Sequence, residues 1–414
     1  MKRSLQAPSL WAYRDMRLVL PGRAVSMAGD AIAMLALSLR VSEQGGPASM
    51  TMLWLAFSVP LVLMIPVAGR IVDGVDSRTV LVLSSVLQGA AGVGLALSHG
   101  LPATLALVCV MQACQAVNGP AWGALVPRIV GEELAGRAVG LQQALTGIAM
   151  LAGSGVGGVL VGWWGIRTAL LADAGTFVVL ALAGAAVRTR RRPEPAAARR
   201  TAGRGGALAG LRVIAADRLL KVLVPGLWIF ILAAEATNVI EVFLVTDEIG
   251  LGASGLGVAF AVQGAGGIVG AYAAGRLADD RRVHAVVAGT LGVGVGGALM
   301  GLAPSAALLF AGCLLSGLAG GLINAGTGAL VVTRAPEAIR GRVLSALNGS
   351  CRAFSVLALL LGGVAGAMAG ARTTYVGCGL LCVLTGLLLA AGLRRSRRQA
   401  VSSANDSVPE AVYH

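Results

Sequence analysis

Runs of about twenty apolar residues, separated by short polar joints, recur along the whole chain. Twelve such windows stand out, at 18–40, 49–69, 79–99, 102–126, 139–163, 168–187, 221–245, 254–275, 284–303, 306–333, 342–369 and 372–393. About 20 apolar residues suffice to cross the roughly 30 Å core of a bilayer as a helix. In lipid a backbone must satisfy its hydrogen bonds within its own segment, so these windows predict helices and not strands. The pattern therefore predicts an all-α integral membrane protein with twelve transmembrane helices. One long joint interrupts it at 188–217, rich in Arg, Pro and Gly and without apolar periodicity, which reads as a flexible cytoplasmic linker. It divides the chain into an N-terminal six-helix bundle (1–187) and a C-terminal one (218–393), followed by a polar tail (394–414) expected to be disordered.

Composition agrees with the pattern. Of 414 residues, 56% are hydrophobic and 13% charged, about half the charged share of an average soluble protein. The net charge of +14 would suggest a nucleic-acid partner if it were spread evenly. It is not spread evenly. With the first residue inside, only Arg40, Arg167 and Arg372 of the 33 Lys+Arg fall on the outer side. That asymmetry is the positive-inside rule; it places both termini in the cytoplasm and leaves no basic excess for DNA. The basic N-terminal stretch lacks a small-residue cleavage site and reads as an uncleaved interfacial lead. Six cysteines, at 109, 114, 313, 351, 378 and 382, all fall in predicted helices. Without histidine or carboxylate beside them they read as packing residues, and no metal site is expected.

The two halves are related. Gly69 and Gly275 are separated by 206 residues, as are Asp73 and Asp279, Asn118 and Asn324, and Arg128 and Arg334. One offset shared by separate regions points to a duplicated six-helix unit, a parallel repeat about an axis along the membrane normal. The motifs also carry a resemblance. "GRIVDGVDSR" (69–78) has the spacing of a Gly, an Asp four residues on and a basic residue five beyond that, with Asp76 where glycine is usual. "GRLADDRR" (275–282) matches at Gly275 and Asp279, with the basic end reduced to Arg281 and Arg282. With "SMAGD" (26–30), "LVPRIVGEELAGR" (125–137) and "EVFLVTDEIGLGASGLG" (241–257), the chain resembles the major facilitator superfamily over residues 10–393, in particular the twelve-span drug and secondary-metabolite exporters of bacteria.

The resemblance implies roles. Gly69, Asp73 and Arg78, with Gly275 and Asp279, would form a conformational latch in which Asp73 holds the start of the eleventh span near Arg342. "GSGVGG" (153–158) is similar to the glycine-rich signature of the family's drug–proton antiporters, with Ser154 where proline is usual. Independently of any family, Gly153, Gly157 and Gly158 offer a flat strip for close helix packing, which matters in lipid because apolar burial drives little association there. The alternative for such strips is sliding contact during transport.

The costly residues lie deeper. Asp30 is about 18 Å into the first span by helix rise, where an ionised carboxylate is expensive unless it meets water or a partner. Glu235 lies 205 residues later, nearly the equivalent place, with Asn238 and Glu241 following at helical spacing. These acids are candidate proton or cationic-substrate sites; Asp30 alternatively pairs with Arg23 or caps a break at Gly29. Arg352 in the eleventh span is a candidate partner for an acid. Gln115 and Asn118 in the fourth span, with Asn324 in the tenth, are either cavity lining or interhelical glue. Many proton-coupled relatives carry an arginine in the fourth span, and this chain has none there.

No Gly-x4-Gly-Lys-Ser/Thr motif occurs, and His99, His284 and His414 are the only histidines, so neither phosphate-loop ATP hydrolysis nor a histidine-rich metalloenzyme is indicated. The expectation is a non-enzymatic, cofactor-free monomer in the bacterial cytoplasmic membrane, with a small molecule as substrate and the proton as coupling ion. Proton-driven efflux of an amphipathic compound leads; uptake by the same fold is the alternative, and a non-transporting scaffold follows.

Overall fold

The computed structural model describes residues 10–189, 220–334 and 340–406. Among them every regular element is helical. After a short 3-10 turn at Leu10–Ala12 come α1 (Arg14–Leu63), α2 (Ile65–Gly74), α3 (Ser77–Leu97), α4 (Leu101–Val130) and α5 (Glu132–Ala186). Then follow α6 (Leu220–Thr237), α7 (Glu241–Phe243), α8 (Ala253–Gly275), α9 (Asp279–Gly301), α10 (Ala306–Arg334) and α11 (Arg340–Asp406). The linker beyond Thr189 lies outside the described residues, and α11 runs on into the tail as far as Asp406.

Eight of the described helices are long and apolar enough to cross a membrane, or nine if Lys221–Thr237 and Glu241–Glu248 form one broken span. Three are too long for one crossing. A 50-residue helix such as α1 would extend about 75 Å, more than twice the bilayer core. Each of the three is broken where a glycine leaves helical geometry: Gly46 (φ 66°, ψ −160°) in α1, Gly165 (φ 80°, ψ 168°) in α5 and Gly370 (φ 79°, ψ 169°) in α11. Only glycine occupies such φ/ψ values without strain. Pro47 follows the first break, where a missing N–H costs nothing because a first-turn donor has no intrahelical partner. Gly165 and Gly370 stand 205 residues apart with almost identical dihedrals, so the repeat is written in the backbone as well as in the motifs.

Two of the three arginines expected on the outer side have structural work. Arg40 donates to the Leu95 carbonyl at 2.6 Å, and Arg372 donates to the Ala303 carbonyl at 2.8 Å. These carbonyls lie at the C-terminal ends of α3 and α9, equivalent helices of the repeat. The last carbonyls of a helix lack intrahelical donors, and a cation there also meets the negative end of the dipole. At the other end of α3, Asp76 is the N-cap, accepting the Arg78 N–H at 3.2 Å. The side chain found in place of a usual glycine thus starts the helix.

The chain divides into two compact units. The first comprises Met1–Ala202 with Val239–Gly264, the second Gly203–Asn238 with Ala265–His414. In the first, Met16, Leu20, Val72, Leu81, Trp122 and Leu125 join the starts of α1 and α3 to α2 and the end of α4. Below that core Asp15 holds the first residues of the linker, its carboxylate accepting the Thr189 N–H at 2.8 Å, the Thr189 hydroxyl at 2.6 Å and the Arg188 N–H at 3.2 Å. Burial alone would raise the Asp15 pKa; the bonds from Thr189 and Arg188 outweigh it and hold the group below its ordinary value. Large apolar side chains on the outside, including Val86, Val178, Leu182 and Met368, form a lipid-compatible surface. Trp163 and Trp164 sit beside Gly165, as interfacial aromatics do.

Gly165→Ala and Gly370→Ala are each expected to destabilise the protein by about 1–3 kcal/mol, the strain of forcing a Cβ into that backbone region. Gly162→Ala, in open space with ordinary helical dihedrals, is the control and is expected to be neutral. Thermal denaturation of the purified protein in detergent measures all three.

Candidate functional site

In the first unit a polar cluster is built from the facing sides of α1, α3, α4 and α5. Arg23, two helical turns before Asp30 on α1, donates to Asn118 Oδ1 at 2.9 Å. Asn118, buried on α4, donates in turn to Ser84 Oγ at 3.3 Å, and Ser84 to its own helix at the Leu81 carbonyl. The guanidinium also lies 5.5 Å from the centre of the Trp122 ring, within the range of a cation–π attraction. Trp122 is fixed by donating its indole N–H to Gln142 on α5. One turn further along, Gln88 donates to Gln115 at 3.4 Å. A buried guanidinium needs an anion as well as neutral acceptors, and Asp30 is within electrostatic reach of it. Arg23 thus docks on α4 from α1, through Asn118.

Of the charged residues of this cluster, sequence reasoning missed one. Asp173, on the second half of α5, is fully buried and in electrostatic contact with Asp30. The signal was available, since Asp173 is the sole charge in the window 168–187, and the rule that singled out Asp30 applies to it equally. Gly29 makes room: a Cβ there would come within 2.6 Å of Asp173 Oδ1 and 2.4 Å of Thr176 Oγ1.

In the second unit, Glu235 accepts the Asn238 amide at 2.8 Å, next to the break that ends α6. Ser355 hydrogen-bonds the same carboxylate, and Arg352, exposed on α11, acts on it by charge. Nearby, Trp228 stacks on Phe354 (5.0 Å, 10°) and donates to Ser350 at 3.0 Å. Gly362, on the same helix as Arg352, lies against the Ala236 backbone, which brings α11 close enough for these contacts. Glu235, Asn238 and Arg352 are therefore together. Glu241 is buried in α7, which clusters with the first unit. Asn324 is exposed on α10.

Gly153 and Gly157 face the α1 backbone at Ala28 and Ile32, whereas Gly158 faces α8, where its Cβ would lie 3.0 Å from Gly257 Cα. Of the latch residues, Gly69 is exposed on α2 and Asp73 is half-buried there. Arg78 donates to the Ala185 carbonyl near the end of α5. Gly275 closes α8. The side chains of Asp279 and Arg342 lie outside the described residues.

The sequence was compared with known proteins. The family model described as the Major Facilitator Superfamily matches residues 19–246 and 223–410. The chain belongs to this superfamily. It is 24% identical over 417 residues to an uncharacterized MFS-type transporter, YfiS, of Bacillus subtilis strain 168, covering 97% of this chain and 99% of that one. It is 28% identical over 386 residues to the multidrug efflux pump Tap of Mycobacterium tuberculosis H37Rv, covering 90% and 91%. Among solved structures, the nucleoside transporter NupG aligns with a TM-score of 0.73 at 12% identity, over 92% of this chain and 99% of that one. A bacterial homologue of the iron transporter ferroportin aligns at 0.70 and 15% identity, over 93% and 99%. At these identities the structures establish the fold alone, an all-helical one; membership of the superfamily rests on the family model.

Asn118→Leu removes a charge-assisted acceptor from Arg23. The expected loss of stability is about 1–3 kcal/mol, read from thermal denaturation in detergent. Gln115→Leu removes only a long contact between neutral groups and is expected to cost less.

Proposed function

We propose that this transporter exports an amphipathic small molecule from bacterial cells in exchange for protons. It acts as a monomer with both termini in the cytoplasm and twelve crossings, each of the three broken helices supplying two. The observation that carries this reading is a deep acid at nearly equivalent places in the repeat, each with a cation in electrostatic reach: Asp30 with Arg23 in one unit, Glu235 with Arg352 in the other. Acids at that depth are expensive and mark ion or substrate paths. A carboxylate that exchanges its salt-bridge partner for a proton changes its charge without moving far, which is the requirement for coupling. Similarity to a multidrug efflux pump over nine-tenths of the chain favours export over uptake. The few aromatic residues, 4% of the chain, suit a substrate held by apolar contact and a small number of polar groups rather than by an aromatic cage.

In this reading Asp30 and Glu235 are the proton-binding candidates, and Asn118, Gln115 and Asn238 hold or orient them. Asn324 and Glu241 belong to the substrate or proton path of their own units. Asp73 and its repeat partner Asp279 bias the two access states from the cytoplasmic ends. Close contacts at Gly153 and Gly157 keep α5 against α1, so the helix bearing Asp30 is held in register.

The test is accumulation of amphipathic antibiotics and dyes in efflux-deficient bacteria producing wild type, Asp30→Asn or Glu235→Gln, with the proton gradient intact or collapsed. Wild type is expected to exclude at least one compound only while the gradient stands. One or both variants are expected to accumulate it as cells without the transporter do, at equal membrane abundance. Exclusion that survives collapse of the gradient, or no exclusion at all, counts against proton-driven efflux.

A further inference from the structure

Asp173 has no place in the mechanism as stated so far, yet its position is hard to explain as packing. Its side chain is fully buried, and its carboxylate oxygens find no well-formed hydrogen bond among the described residues, the Thr176 hydroxyl alone bearing on them. The nearest hydroxyl, Thr176 Oγ1, gives its single proton to the Asp173 backbone carbonyl at 2.7 Å. From α1 the charge facing it is Asp30, of the same sign; Arg23 acts on Asp30 from two turns away. From α3, Gly89 and Gly92 close on Ala174, and the one charge of that helix, Arg78, is committed at Ala185, twelve residues further along α5. Asp173 itself lies eight residues past Gly165, about 12 Å along the helix axis. Space has also been made for it, because any side chain at Gly29 would strike Asp173 and Thr176.

Two carboxylates within mutual reach in a medium of low dielectric cannot both stay ionised. A buried carboxylate short of donors is itself unfavourable, whereas the protonated acid is neutral and compatible with its surroundings. Asp30 has the cation beside it and is partly exposed; Asp173 has neither advantage. We propose that Asp30 and Asp173 form a carboxyl pair that shares one proton, with Asp173 as the buried seat of that proton and Asp30 as its door to solvent. The step is a proton transfer alone: an O–H bond of Asp173 breaks, one forms on Asp30, and water on the exposed side takes or supplies the proton. In transport this deepens the proton-driven reading above and rests on it. The pair makes Asp173, one segment removed from any acid the sequence motifs emphasise, a further proton-binding residue.

The experiment uses the purified full-length protein in lipid. Infrared difference spectra across a pH titration report the carbonyl stretch of protonated carboxyl groups, and the same preparations report dye transport after reconstitution. Wild type is expected to show a protonated-carboxyl band at neutral pH that Asp173→Asn abolishes. Asp30→Asn, which removes the like charge, is expected to move the midpoint of that band by about one pH unit or more, a tenfold change in proton affinity. In transport, Asp173→Asn is expected to lose gradient-driven efflux while keeping dye exchange without a gradient, a split that a merely structural defect would not produce. A band unchanged in Asp173→Asn, or a midpoint unmoved by Asp30→Asn, overturns the pair. If Asp173→Asn does not fold, the midpoint in Asp30→Asn still decides. If the band behaves as expected but wild-type efflux ignores the gradient, the pair stands and the proton-driven function fails.

Discussion

An ionisable group inside an apolar helix must find its partner within the same packed unit, because lipid offers none. That constraint organises the first unit. Arg23 and Asp30 share one face of α1, and their neighbours, Asn118 and Trp122 on α4 and Asp173 on α5, are brought to that face. Each of these contacts needs helix axes closer than large side chains permit. Gly22, Gly29, Gly153 and Gly157 supply the approach, with the opposing backbone or Cβ within about a van der Waals contact of where their own Cβ would lie. Glycine is therefore abundant here for an electrostatic reason as much as for a packing one. The glycines at these close approaches let a sparse set of charges meet.

The second unit meets the same constraint with different parts. Glu235 is served by an amide one turn on, by Ser355 and by Arg352, and Gly362 provides the close approach. Equivalent positions, similar chemistry and non-identical residues are what duplication followed by divergence leaves. The glycine breaks diverged less. Gly165 and Gly370 keep the same dihedrals to within a degree, because no other residue tolerates that backbone region and substitution is closed to drift.

Much of this was legible in the sequence, for identifiable reasons. Span positions follow from apolar run length, a signal summed over twenty residues. Asp30, Glu235, Asn118 and Arg352 stood out as polar groups at depth, and the structure places them in two clusters. What the sequence hid was partnership. Arg23 was visible only as one alternative for Asp30, since nothing along α1 says that its guanidinium docks on Asn118, 95 residues away. Asp173 was overlooked because it belongs to no repeated motif, although its isolation in an apolar window was itself the clue. Glu241 shows what spacing alone leaves open. It lies on the face shared with Glu235 only if the helix is continuous, and the helix breaks at residues 238–240.

The two clusters differ in a way that bears on coupling. Among the described residues the set around Glu235 holds one acid and one exposed cation, and is neutral with no proton bound. Around Asp30 there are two acids and one cation, so neutrality there requires one proton. Where burial makes net charge expensive, the first cluster is the one whose charge balance depends on protonation, and the second is balanced by Arg352 alone. On the proposed reading, the proton site then belongs to the first unit, and Glu235 with its exposed arginine is free to respond to a charged substrate. The asymmetry is one of composition, and it assigns different tasks to positions that the repeat makes equivalent.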